Sequence, residues 1–235
     1  MAVDLAHLAH RLAEQATREP GTGRLRLPTE RELVASLELT RGVLREQLTV
    51  LEMLGFLERT QGRGSYLRVP DGGFIQLYFD LSTQLGHLST GQFRSARELI
   101  ELSVAESAAR TATPEQVAGL RALVDTMVEA SAAGDEAQAL EADLEFHRTL
   151  YRVVDNPIFT IVLDGLRHAM RSEVVERRRA ATEHLPVEPG QTRVVDTVHH
   201  EVVDAVEARD PDAARAAMRR HFEVWSSTVQ PPAAG

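Results

Sequence analysis

The chain has no cysteine, which excludes disulfides and thiolate metal sites. It has no lysine either. All 26 basic residues are arginine, so counting arginines says little about phosphate binding. There is no uninterrupted apolar run of roughly 18 residues, which argues against a membrane-spanning helix. The opening Met1-Ala2-Val3-Asp4-Leu5 lacks the basic-then-apolar order of a secretory signal, so a cytoplasmic location is expected. No repeat of fixed period appears.

What is present is ordinary globular composition, 43% apolar and 26% charged, over 235 residues. That length accommodates two domains. The net charge of −9 is unevenly spread: residues 1–70 hold ten Arg against nine acids, and residues 71–235 hold 16 Arg against 26. A near-neutral head on an acidic body suits a DNA reader tethered to a domain that avoids DNA.

Asp71-Gly72-Gly73, after Pro70, is the clearest break and is expected to be a linker between domains 1–70 and 74–229. In the first domain Val3 to Ala16 reads as an amphipathic helix. Thr29 and Glu32 form a capping box for a short helix reaching Leu37. Thr40 caps a longer helix with the apolar stripe Leu44, Leu48, Leu51 and Leu54, ended by Gly55. Two β-like runs, Phe56–Arg59 and Ser65–Val69, flank Gln61-Gly62-Arg63-Gly64 and predict a hairpin. Beyond Gly73 helical periodicity recurs near 74–88, 93–111, 114–132, 135–153, 157–183, 192–209 and 211–229. The expected fold is mainly α: a winged helix-turn-helix of three helices and a β-hairpin wing, then an antiparallel bundle of about seven helices. The last six residues, 230–235, read as a frayed tail.

Two helices joined by a short turn at Glu38-Leu39 and followed by a hairpin place the second helix in a DNA major groove. On that helix Arg41, Gly42, Arg45 and Glu46 lie off the apolar stripe near the N-terminus. The arginine fork can pair with guanine or clamp a phosphate. Gly62 and Gly64 permit close approach of the wing, and Arg63 can enter the minor groove. Any one of these arginines alone reads as a solvated surface residue; the ordered set favours DNA binding.

Leu27-Pro28-Thr29-Glu30-Arg31-Glu32-Leu33, Thr40-Arg41-Gly42-Val43-Leu44-Arg45-Glu46-Gln47-Leu48, Leu54-Gly55-Phe56-Leu57 and Gly62-Arg63-Gly64 together resemble the GntR family of bacterial regulators. The resemblance implies DNA contacts from Arg31, Thr40, Arg41, Arg45 and the wing glycines Gly62 and Gly64. Gly42 and Val43 stand where relatives usually carry Thr, Pro or Ser, so base preference there can differ. The loop Glu19-Pro20-Gly21-Thr22-Gly23-Arg24 follows the family pattern only loosely.

In the helical domain several polar residues fall on apolar stripes. Asp143 and His147 are four apart and share a face with Leu140, Leu144 and Leu150. His199 lies with Val195, Val198, Val202 and Val206, and His221 with Ala217, Met218 and Trp225. Each reads singly as a hydrogen-bonded core residue. As a set on three helices they offer carboxylate and imidazole to a divalent ion, with Zn²⁺ favoured and Ni²⁺ or Mn²⁺ as alternatives. His200 competes with His199 in sequence but points about 100° away.

Arg97-Glu98-Leu99-Ile100-Glu101, Asp143-Leu144-Glu145-Phe146-His147-Arg148 and the run from His199 to Phe222 resemble the ligand-sensing (FCD) domain of the FadR-type GntR branch. That resemblance implies a metal held by Asp143, His147, His199 and His221; on an octahedral ion these leave about two positions, where a small carboxylate effector is expected as in relatives. It also implies that Arg97 holds the effector's carboxylate; otherwise Arg97 and Glu101 form only a surface ion pair. The reading is a homodimeric, operator-binding regulator controlled by such an effector, a repressor by analogy with relatives. One alternative is a metal-dependent enzyme acting on a small organic acid. No His-Glu-x-x-His run, nucleophile elbow or phosphate loop supports it, and Glu145 and Glu201 lie off the ligand faces. Another keeps the regulator but makes the metal structural and the effector a larger acyl-type molecule. Arg167, Arg171, Arg177, Arg178 and Arg179 are left unassigned between pocket and solvent.

Overall fold

A computed structural model describes residues 4–60, 62–184 and 191–229. The chain divides into two compact units, Met1–Leu77 and Tyr78–Gly235. Among the described residues there are ten helices and one four-stranded antiparallel sheet.

In the first unit Asp4 accepts from the amides of Ala6 and His7 and starts α1 (Leu5–Gln15). A hairpin of β1 (Thr17–Arg18) and β2 (Leu25–Arg26) follows. Thr29 and Glu32 form the expected capping box ahead of α2 (Glu30–Leu37). Glu38, at φ +56°, makes the turn. Thr40 caps α3 (Arg41–Met53), and Gly55 at φ +83° redirects the chain out of it. The hairpin β3 (Leu57–Thr60) and β4 (Gly64–Leu67) forms the wing, with Leu57 opposite Leu67 and Thr60 opposite Gly64. The sheet order is β1-β2-β4-β3. The wing is thus extended by a second hairpin where the sequence suggests a loop. Its strands are two residues long, too short to show an alternating pattern. The central buried cluster here is nine leucines: Leu8, Leu12, Leu27, Leu33, Leu37, Leu44, Leu48, Leu51 and Leu57.

The remaining helices are α4 (Gly73–Gln84), α5 (Thr90–Thr111), α6 (Pro114–Ala132), α7 (Glu136–Val153), α8 (Pro157–His184), α9 (Val194–Glu207) and α10 (Pro211–Val229). They match the seven expected segments with small shifts. One correction is at α5, which begins at 90 rather than 93 because Ser89 and Gln92 form a capping box. Thr113 and Gln116 do the same for α6, with Pro114 in the first turn. Within the bundle α6 packs on α7 and α9, and α10 packs on α9 and α5. Small residues (Ala105, Ala108, Ala109, Ala205, Ala214, Ala217) bring helix backbones close around Phe146, Leu150, Met127 and Met218. No described helix is long and apolar enough to cross a membrane. The 230–235 tail and the break at Pro186 to Gly190 lie outside the described residues.

Candidate metal centre and nucleic-acid interface

In the bundle α7, α9 and α10 each direct histidine inward. One ring nitrogen from each of His147, His199 and His221 lies within 4.8 Å of the others. The ring centroids are 5.6 Å apart for His147 and His199, 4.5 Å for His199 and His221, and 5.1 Å for His147 and His221. Asp143, one turn before His147, places Oδ1 3.4 Å from His147 Nε2 and 3.8 Å from His199 Nε2. All four residues are buried. Thus the four sequence-expected ligands come together, while His200 turns away to Asp125, 3.1 Å from its carboxylate.

This geometry fits a shared divalent cation. Donors bound at ~2.1 Å to one ion lie within ~4.2 Å of each other, so the set closes with small side-chain adjustments. The outer edges of two rings are already held. His199 Nδ1 donates to the Asp196 carbonyl oxygen at 2.9 Å. His147 Nδ1 makes a 2.7 Å ion-pair contact with Glu101 Oε2. Both contacts favour Nδ1 as the protonated nitrogen and turn Nε2 inward, as outer partners of metal-binding imidazoles do. A donor set of three nitrogens and one oxygen suits Zn²⁺, Ni²⁺ or Mn²⁺.

Two buried arginines brace the centre. Arg97 donates through Nε to Glu101 Oε1 at 2.7 Å, with side-chain exposures of 3% and 0%. The spacing of four allows a surface ion pair; the pair forms, but inside the core. Burial alone would raise the Glu101 pKa; the Arg97 charge and the contact from His147 overcome it and hold the carboxyl well below 4.5. Arg178, on α8, donates to Asp196 Oδ1 at 2.7 Å and to Asp143 Oδ2 at 3.5 Å. It thereby orients the candidate ligand Asp143 from behind. Glu101 and Asp196 do not stand out in the sequence as parts of this centre. Glu101 shares a helical face with Arg97, and Asp196 lies one turn before His199, but neither position alone signals burial.

The other arginines sort as follows. Arg171 pairs with Glu141 and Arg179 with Glu183, both exposed. The side chains of Arg167 and Arg177 lie outside the described residues. Glu145 is engaged by Arg148 and Arg152, and Glu201 by Arg220.

In the first unit Arg31 at the start of α2 and Thr40, Arg41, Gly42 and Arg45 at the start of α3 are exposed, as are Gly62, Arg63 and Gly64 at the wing tip. Arg45 Nε donates to Glu30 Oε2 at 2.8 Å, tying α3 to the start of α2. Gly62 and Gly64 have φ of +76° and +118°. A Cβ on Gly64 would sit 3.3 Å from Arg26 Nε. The wing is anchored by Tyr66, whose hydroxyl donates to Glu19 at 3.1 Å and whose ring lies under Arg24 at 4.0 Å. The extra hairpin therefore adds Arg24 and Arg26 beside the wing, arginines that no sequence motif singles out.

A winged helix-turn-helix joined to a helical bundle defines a class, the two-domain DNA-binding regulators. Known proteins agree. Residues 7–67 match the model for "Bacterial regulatory proteins, gntR family", and residues 92–224 match the FCD domain. The HTH-type transcriptional repressor NanR of Salmonella newport is 32% identical over 211 residues, 86% of this chain and 76% of that protein. The NanR repressor of Cronobacter sakazakii is 29% identical over 87% of this chain and 78% of its own length. Among solved structures, Streptococcus agalactiae GntR superposes with a TM-score of 0.67 at 25% identity, covering 95% of this chain and 97% of that one. The chain belongs to the GntR family, with an FCD domain. It is a DNA-binding transcription regulator, and these relationships point away from an enzyme.

Proposed function

We propose that this regulator is a homodimeric repressor whose operator affinity is set by a small carboxylate bound at a divalent-metal centre in the FCD domain. Residues 1–70 would read DNA, 71–73 would link, and 74–229 would sense. The metal, with zinc favoured, would be held by Asp143, His147, His199 and His221. The carrying observation is that three imidazole nitrogens converge within 4.8 Å beside a buried carboxylate. Four protein donors leave about two positions for effector oxygens where the ion is octahedral. Arg97 adds a buried cation on the Glu101 side of the cluster, and we assign it to the effector's far oxygens.

For DNA, Arg31, Thr40, Arg41, Gly42 and Arg45 would meet one operator half-site in the major groove. Gly62, Arg63 and Gly64 would follow its minor groove. A two-fold dimer would match a pseudo-palindromic site. The repressor sign is carried from the names of the NanR relatives. Effector binding would change operator affinity by ~1–3 kcal/mol of coupling.

The test is elemental analysis of protein purified without added metal, wild type against His199→Ala. About one divalent ion per chain, lost in the variant, is the expected result. No ion in the wild type, with DNA binding intact, would return the four residues to core hydrogen bonding. One observation favours a second reading, in which the metal is structural and the effector a larger acyl-type molecule: all four ligands are buried. A chelator that unfolds the protein without altering effector affinity would select it.

A further inference from the structure

Tyr151 follows His147 by four residues and Asp143 by eight, so α7 presents it on the face that carries both candidate ligands. Its side chain is 1% exposed. The ring packs edge-on to Phe159 at 6.4 Å. The hydroxyl has no hydrogen-bond partner among the described residues. Buried phenols normally find one, because an unsatisfied O–H forfeits the hydrogen bonds it made in water. The ring belongs to the hydrophobic core, while the charges of Glu101 and Arg97 still act on the hydroxyl. Burial first, and then the Glu101 charge, raise the Tyr151 pKa, so at neutral pH the group is a neutral O–H. Arg97 on α5, and His147 and the unengaged Tyr151 hydroxyl on α7, belong to two helices that pack on each other.

We propose that Tyr151 is a specificity-determining residue of the effector site, its phenolic O–H donating to a second oxygen of a hydroxylated carboxylate. The inference rests on the reading of the Asp/His centre as an effector site and names the chemistry selected there: a carboxylate toward the metal, an oxygen substituent toward Tyr151. The same position filled by leucine or phenylalanine would accept the plain acid equally well. A site built to pair with a substituent discriminates against its absence, because the protein donor is then left unpaired.

The experiment is calorimetry on the zinc-loaded full chain, wild type and Tyr151→Phe, with propionate, 2-hydroxypropionate and 3-hydroxypropionate. Wild type is expected to bind at least one hydroxylated acid roughly five- to tenfold tighter than propionate, and Tyr151→Phe to bring that ratio within about twofold. An unchanged ratio in the variant would overturn the role of Tyr151 and leave the effector site standing, with a buried water as the partner of the hydroxyl. If none of the three acids binds the zinc-loaded wild type, the effector reading fails and the inference with it. Zinc content and melting temperature of each sample identify a misfolded variant. In that event the wild-type tyrosine difference spectrum decides: a change with the hydroxylated acid and none with propionate supports the role, and identical spectra overturn it.

Discussion

Glu101 Oε2 lies 2.7 Å from His147 Nδ1, and neither side chain reaches solvent. The carboxylate's other oxygen is taken by Arg97, so a cation, an anion and an imidazole form one buried line ending at the Asp/His cluster. A carboxylate behind an imidazole fixes the tautomer and increases its basicity toward a metal. The placement accounts for a glutamate in the helical core, where it would otherwise be costly. Glu101→Gln keeps the shape and removes the charge. It is expected to weaken zinc affinity by ~10–100-fold, read by competition with a chromogenic chelator. Unchanged affinity would make Glu101 merely the counter-ion of Arg97.

Removing Arg97 instead leaves Glu101 charged and buried beside one remaining partner. Arg97→Ala is therefore expected to destabilise the fold by ~3–5 kcal/mol in denaturant unfolding of the metal-free protein. The double variant Arg97→Met/Glu101→Gln, which removes both charges, is expected to recover most of that loss. A double variant no more stable than Arg97→Ala would show that packing, not charge, dominates at this position.

The same pair sets an acid dependence. The Glu101 pKa falls from 4.5 to about 2 on folding, burial opposing and Arg97 and His147 prevailing. Because the folded value is the lower one, the stabilisation is fully present above about pH 4.5 and is lost as pH falls toward 2. Wild type should thus lose more stability than Glu101→Gln across that window, measured as unfolding free energy against pH. Parallel curves would refute the assignment.

Local signals are the legible part of this protein. Thr29-x-x-Glu32 and Thr40 announce the starts of α2 and α3, and Gly55 the end of α3, because caps depend on neighbours a turn away. Asp143 and His147 are legible as a pair for the same reason. What depends on distant chain is not. Arg178 meets Asp143 from 35 residues away and Asp196 from 18, and no spacing rule encodes either contact. Arg97 and Glu101 are visible as a spacing, but sequence does not state which helical face is buried when the hydrophobic face also carries charge. The β1–β2 hairpin is hidden because Gly21 and Gly23 read as loop, and its two short strands gain further pairing only from β4.

Glycines in the DNA-reading unit divide by backbone. Gly42 lies in the first turn of α3 without a left-handed φ, and a Cβ added there would meet nothing within 4 Å. Gly42→Ala should raise stability by ~0.5–1 kcal/mol, since alanine suits the helix and restricts the unfolded chain. Gly64→Ala should lower it by ~1–2 kcal/mol, because φ is +118° and Arg26 would have to shift. Equal melting temperatures for the two variants would contradict the strain placed at the wing.

The two arginines that flank the reading surface should differ in kind. Arg41 opens the helix expected in the major groove, and Arg63 sits at the wing tip; both are exposed. If Arg41 pairs with a base, Arg41→Ala costs ~1–3 kcal/mol on an operator selected from random duplexes and relaxes the preferred sequence at one position. If Arg63 serves mainly the backbone in the minor groove, Arg63→Ala weakens binding to all sequences alike. It also reduces the slope of log affinity against log salt by ~1. Fluorescence anisotropy over a salt series separates the two. A salt slope lowered by Arg41→Ala with the sequence preference intact would make Arg41 a phosphate clamp and move base reading to Arg31 or Arg45.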